Sequence, residues 1–91
     1  MNTTTTLFSL GSICITSNAM AQLDPVAVKT ALIRHSQGDW GILVAEDAQA
    51  NNDALTNGSR LLSAYTDDGV KFWIITEADR SVTTVLLPED Y

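Results

Sequence analysis

Residues 70–76 set Val70, Phe72 and Ile74 in alternation with Lys71, Trp73 and Ile75, and a second apolar run, 82–87, follows the polar bend 77–81. Apolar side chains on both faces mark the first run as a central strand. Pro88, which lacks an amide for the ladder, ends the second. Just upstream, 60–65 reads as a further strand. It is joined to 70–76 by Thr66-Asp67-Asp68-Gly69, whose Asp-Gly pair tolerates the positive φ values of a tight hairpin turn. At the other end of the chain, 7–16 has the same character, β-branched at Ile13, Ile15 and Thr16, with Gly11 as a bulge or bend.

Between these strands the period changes. Asp24 is an N-cap followed by Pro25 at the first helical position, where a missing amide costs nothing, so a helix is expected over Pro25–Ser36. Its spacing places Val28, Ala31, Leu32 and His35 on one face, and Gly38 stops it. Ser17 or Asn18 caps a short turn running through Leu23. A second helix, Ala45–Asn57, opens on Glu46 and Asp47, which suit the positive end of the helix dipole, and closes at Asn57-Gly58. Its apolar stripe is weak, only Ala48, Ala50, Ala54 and Leu55, so most of its acidic and amide face is expected in water. Asp39-Trp40-Gly41 connects the helices, with Trp40 a lid over the core. The expected architecture is α+β: an N-terminal strand, two helices, then a three-strand antiparallel meander with the helices packed on the sheet.

The 91 residues suffice for one small domain with a thin core, with residues 1–6 frayed. The 45% apolar and 18% charged composition is that of a folding chain. A thin core also makes a homodimer a live expectation. Cys14 is the single cysteine, so no internal disulfide or cysteine-based metal set exists, and its setting among Ser12, Ile13 and Ile15 reads as a small buried hydrophobe. The 7–15 run with Asn18-Ala19-Met20-Ala21 after it imitates a signal peptide. The absence of Lys or Arg before Lys29, and the interruptions at Ser9, Gly11 and Ser12, argue for a cytoplasmic protein instead.

Charge changes the functional picture more than it changes the fold. The net charge is −6, and no Lys or Arg lies between Arg34 and Arg60, a stretch carrying Asp39, Glu46, Asp47 and Asp53. A surface that tracks phosphates needs clustered cations, so direct nucleic-acid binding is disfavoured. An acidic face instead complements a basic protein surface, including one that normally holds nucleic acid. Asp39, Trp40, Glu46, Asp47 and Asp53 are the candidate partner-binding residues. Trp40 has a competing reading as a core plug beside two glycines. Adjacent carboxylates such as Glu46-Asp47 and Glu89-Asp90 diverge by about 100° on a helix, and Asp67-Asp68-Gly69 lacks the roughly twelve-residue calcium loop, so neither a metal nor a cofactor is expected.

The competing chemistry is ribonuclease action on an antiparallel sheet, with His35 as base, Arg60 and Arg80 as phosphate clamps, and Thr84 and Tyr91 as donors. Each has a plain structural reading. His35 falls on the apolar helix face and is expected to be buried and satisfied by backbone. In the 77–81 loop, Asp79 is expected to accept from loop amides, and Arg80 to bridge to Glu77 or the C-terminal acids.

Gly38-Asp39-Trp40-Gly41, the Glu46-Asp47 and Asn52-Asp53 pairs, residues 60–65 and above all residues 73–91 together resemble a group of small proteins carried by proteobacterial plasmids and integrated elements, some labelled restriction endonuclease subunit M. The chain departs from that group at Ile42-Leu43-Val44, where a more acidic stretch is expected. A methyltransferase is excluded by size and by the absence of a Gly-rich loop after a strand. The resemblance implies an accessory protein of a mobile element. Its sharpest form is an inhibitor of a host defence system, anti-CRISPR or anti-restriction, that acts by occlusion.

Overall fold

The computed structural model describes residues 6–91; the expectation of a frayed start falls mostly on residues outside that range. In chain order the elements are β1 (Ser12–Ile15), α1 (Ser17–Gln22), α2 (Pro25–Ser36), α3 (Ala45–Asn57), β2 (Leu61–Asp67), β3 (Val70–Thr76) and β4 (Val82–Leu86), then a 3-10 turn at Pro88–Asp90. The class is α+β, but the sheet is mixed. Its order is β1-β4-β3-β2, with β2, β3 and β4 forming the expected antiparallel meander and β1 lying parallel to β4 at the edge.

Local sequence signals account for most boundaries. Asp24 caps α2 by accepting from the Val26 amide at 2.8 Å, and Gly58 ends α3 at φ 78°. The β2–β3 hairpin turns on Asp68 and Gly69, both at positive φ, as its Asp-Gly pair requires. Two expectations need correction here. The 17–23 turn is a helix in its own right, capped by the Thr16 hydroxyl, which accepts from the Ala19 amide, and not by Ser17 or Asn18. The N-terminal strand is also much shorter than 7–16. Gly11 sits at φ 64°, and a Cβ there would come within 2.2 Å of the Ser81 carbonyl oxygen, so the chain bends at that point and enters the sheet only afterwards.

Alternation along the strands divides the side chains between two faces. Facing the helices are Leu61, Ser63 and Tyr65 of β2, Phe72, Ile74 and Thr76 of β3, and Thr83 and Val85 of β4. All are buried. Ala19 of α1, Leu23 just past its end and Ala31 of α2 close the main core over Phe72, Ile74 and Val85. A second cluster joins Trp40, Ala54 and Leu61 with Phe8 and Leu43. The opposite face carries Trp73, Ile75, Thr84 and Leu86, with Tyr91 edge-on to Trp73 at 5.8 Å. Cys14 lies on the edge strand and is exposed, contrary to the buried reading: level with Thr84 in the register, its side chain points to the face away from the helices.

The outer edge of β2 is closed by the chain itself. Ala64 donates its amide to the Trp40 carbonyl at 3.1 Å and accepts from the Ile42 amide at 2.8 Å, making a parallel bridge with Gly41. Two residues along β2, at Leu62, Asn51 of α3 acts as a side-chain substitute for a strand. Its Nδ2 donates to the Leu62 carbonyl at 2.6 Å and its Oδ1 accepts the Leu62 amide at 3.1 Å. Gly41 is obligatory: at φ 77° a Cβ would lie 1.9 Å from the Ala64 carbonyl oxygen.

Candidate functional site

Asp39 and Trp40 leave α2 in a loop that is fixed from several sides. Arg34 Nε donates to Asp39 Oδ2 at 2.7 Å and Nη2 to Oδ1 at 3.2 Å, while the Tyr65 hydroxyl donates to the Asp39 carbonyl at 2.6 Å. The Arg34 bond holds the Asp39 carboxyl below the usual carboxylate range, and burial pushes the Tyr65 phenol up to about 12. Trp40 is only 6% exposed. Its indole stacks on Phe8, meets His35 edge-on, and donates to Asn52 Oδ1 at 3.0 Å. Trp40 is therefore the core plug and presents no ring to a partner, while Asp39 is already engaged by Arg34.

The rest of the acidic set stands in water. Glu46 and Asp47 occupy the first turn of α3 and are exposed, as is Asp53, which accepts from Gln49 at 3.0 Å. Among the described residues the one ion pair is Arg34–Asp39, so no base neutralises these three carboxylates. Exposed apolar side chains lead into the first turn of that helix, which sequence reading undervalued. Ile42 is 57% and Val44 64% exposed. Beside them a cleft of about 280 Å³ is lined by Leu43, Asp47, Ala50, Asn51 and Leu62. A carboxylate lining a largely apolar cleft, as Asp47 does, suits a Lys or Arg side chain, whose stem takes the cleft and whose head takes the charge.

The ribonuclease set is split by the sheet. His35 is fully buried on the helix-covered face, where Nδ1 lies 2.5 Å from Ser63 Oγ and Nε2 lies 2.9 Å from Thr76 Oγ1. Thr84 alternates to the opposite face, next to Thr83, whose hydroxyl points inward to Thr76. On that far side Arg60 donates to the Tyr91 hydroxyl at 2.8 Å. The remaining basic candidate, Arg80, donates to the carbonyls of Ser59, Ala54, Glu77 and Ala78. Arg80 thus reaches Glu77, as expected of the loop, but through the main-chain carbonyl and not the carboxylate, and its other acceptors are carbonyls instead of the C-terminal acids. The expected role of Asp79 holds: it accepts from the Ser81 amide at 3.0 Å and its hydroxyl at 2.6 Å, which lowers its carboxyl.

Hydroxyls, and not backbone, satisfy His35, and their order fixes its protonation. Thr83 Oγ1 donates its one proton to the Leu10 carbonyl at 2.7 Å, so in the 2.7 Å contact with Thr76 it accepts. Thr76 thereby spends its proton and must accept from His35 Nε2–H, leaving Nδ1 bare to accept from Ser63. The ring is neutral and serves as a structural link between β2, β3, β4 and the chain ahead of β1. Burial, with the charge of Arg80, pushes its pKa down to about 4.

Among the described residues no cluster of three or more His, Cys, Asp or Glu is placed to hold a metal ion, and no helix is long and apolar enough to cross a membrane. No family model matches the chain, and no match was found among curated proteins or solved structures.

Proposed function

We propose that this chain works by binding a protein with a basic surface, through the exposed face of α3 and the segment leading into it. The observation that carries this reading is the set of exposed carboxylates Glu46, Asp47 and Asp53 along α3, none held by a base, on a helix that follows the exposed Ile42 and Val44 and whose Asp47 lines the cleft with Leu43 and Leu62. Charge draws a basic partner in and the apolar border gives contact energy. In its sharpest form the partner is a nucleic-acid-binding complex of a host defence system, a CRISPR effector or a restriction enzyme. The chain is then an accessory protein of a mobile element that occludes the nucleic-acid site. Such a role requires no catalytic group and no cofactor.

The test is competition. Purified CRISPR effector and restriction complexes are titrated with the protein in the presence of labelled target DNA, alongside a Glu46→Lys/Asp47→Lys variant. The wild type is expected to displace DNA from at least one complex, and the charge-reversed variant to lose that ability. Displacement by neither protein, or by both equally, removes the reading.

A further inference from the structure

The edge of the sheet opposite α3 carries the second inference, which is independent of the proposed function. In β1 the amides that face β4 belong to even-numbered positions: Ser12 N–H donates to Ser81 at 2.9 Å, and Thr16 N–H, just past the strand, to Val85 at 3.0 Å. The backbone groups of Ile13 and Ile15 therefore point away from the sheet, and no described residue pairs with them. Edge strands are ordinarily blunted by charge, proline, a bulge or a covering segment. Ser12-Ile13-Cys14-Ile15 has none of these within it, and Ile13 is 53% exposed. Next to this edge, on the helix side, an apolar cleft of about 250 Å³ is lined by Ile15, Met20, Leu23, Pro25 and Val28.

We infer that β1 pairs antiparallel with β1 of a second copy of this chain, across a two-fold axis at Cys14, joining the two sheets into one. Charge selects this occupant. Every Asp, Glu, Lys and Arg of the sequence lies at residue 24 or beyond, so β1 and α1 contribute no charged side chain to a chain of net charge −6. Two copies repel each other elsewhere and meet here without that penalty. Asp90 brings one carboxylate to the α1 end of this region, where Thr16 at 2.6 Å and Asn18 at 2.7 Å donate to it and direct its oxygens toward the chain's own residues.

The register follows from the backbone. With the axis at Cys14, Ile13 of each copy exchanges both ladder bonds with Ile15 of the other, and each Ile13 side chain comes over the cleft beside the facing Ile15. An axis at Ile13 would instead set Ile15 against Gly11, whose positive φ has already turned the chain out of the strand. The chosen register also places the two Cys14 residues opposite one another in a non-hydrogen-bonded pair. Their Cα atoms are then about 4.5 Å apart, within the range a disulfide spans.

Mass and cross-linking test this together. Light scattering of the reduced protein from micromolar to millimolar concentration is expected to reach twice the 9.8 kDa of one chain. The Ile13→Lys variant is expected to remain at the single-chain mass with an unchanged circular dichroism spectrum. Separately, oxidised glutathione is expected to convert wild-type protein to a covalent dimer. The two Cys14 thiols lose two protons and two electrons to form one disulfide, and the glutathione disulfide is reduced to two thiols. Cys14→Ser removes the covalent product and keeps the doubled mass. A wild type that stays at single-chain mass overturns the inference, as does a doubled mass that survives Ile13→Lys. Should that variant fail to fold, a wild type giving only glutathionylated single chains overturns it.

Discussion

The two ends of the sheet are treated in opposite ways. At β2 the chain returns to its own edge, with the Trp40–Ile42 segment bonded to Ala64 and the Asn51 amide bonded to Leu62. At β1 the outward groups of Ile13 and Ile15 have no such cover from the described residues, and the strand is the least buried of the four. The sealed end required specialised residues: a glycine with no room for a methyl group, an asparagine aimed at backbone, and a tryptophan turned inward. The lesson is that an edge is closed by particular side chains from distant sequence, so a strand's own composition does not reveal whether its margin is free.

The comparison breaks most sharply at Gly41. Alanine there meets the Ala64 carbonyl and an unfavourable φ together, so the seal must open, and Gly41→Ala is expected to cost more than about 3 kcal/mol in urea unfolding. Next is His35, the link that ties both ends together. Its folded pKa is about 4, against about 6.5 when unfolded. The unfolded chain takes up a proton as pH falls below about 6.5, and the folded chain does not until about 4. The stability that neutral His35 confers is therefore intact above that window, is lost across it, and changes no further below. The loss amounts to roughly 3 kcal/mol between pH 7 and 4. Unfolding free energies measured across that range should show this slope in the wild type and lose it in His35→Gln.

Asn51→Ala is expected to be somewhat milder, about 2 kcal/mol, since it strands one amide and one carbonyl of Leu62 but leaves the Ala64 bridge in place. Smallest of all is Ile13→Lys at the open end. With half of the side chain already in water, the stability of the single chain should stay within about 0.5 kcal/mol of wild type in dilute solution. An effect as large as that of Asn51→Ala would mean that β1 is buried within the monomer, and the contrast between the two ends would be lost.

What could be read from the residues was what is encoded locally. Asp24-Pro25, Gly58 and Asp68-Gly69 set the helix bounds and the hairpin through their own φ preferences and caps; both helices stand where expected, and the hairpin turns at the expected Asp-Gly pair, though Thr66 and Asp67 belong to β2 and not to the connection. Pairing across distance was not legible. Nothing near Ser12 announces that its partner is Val82, or that the strands run parallel. Asn51, a polar residue on a helix already judged to be solvated, gave no sign that its amide faces the backbone of β2. For His35 the helical spacing was enough to bury it, but Ser63, Thr76 and Thr83 are ordinary strand residues until the sheet brings their hydroxyls into line. The candidate site divided in the same way. Exposure of Glu46, Asp47 and Asp53 followed from the weak apolar stripe of α3, whereas the fates of Asp39 and Trp40 depended on Arg34, Tyr65 and Phe8, which the sequence does not place beside them.

The Gly41 bridge has one more consequence, for what association can become. Cross-β growth needs a receptive margin on both sides of each added molecule, so that every newcomer offers a fresh template to the next. Here one margin is occupied from within at Leu62 and Ala64. Any strand that adds at the other margin finds no continuation beyond its host, and accretion through the sheet terminates at a finite particle instead of a fibril.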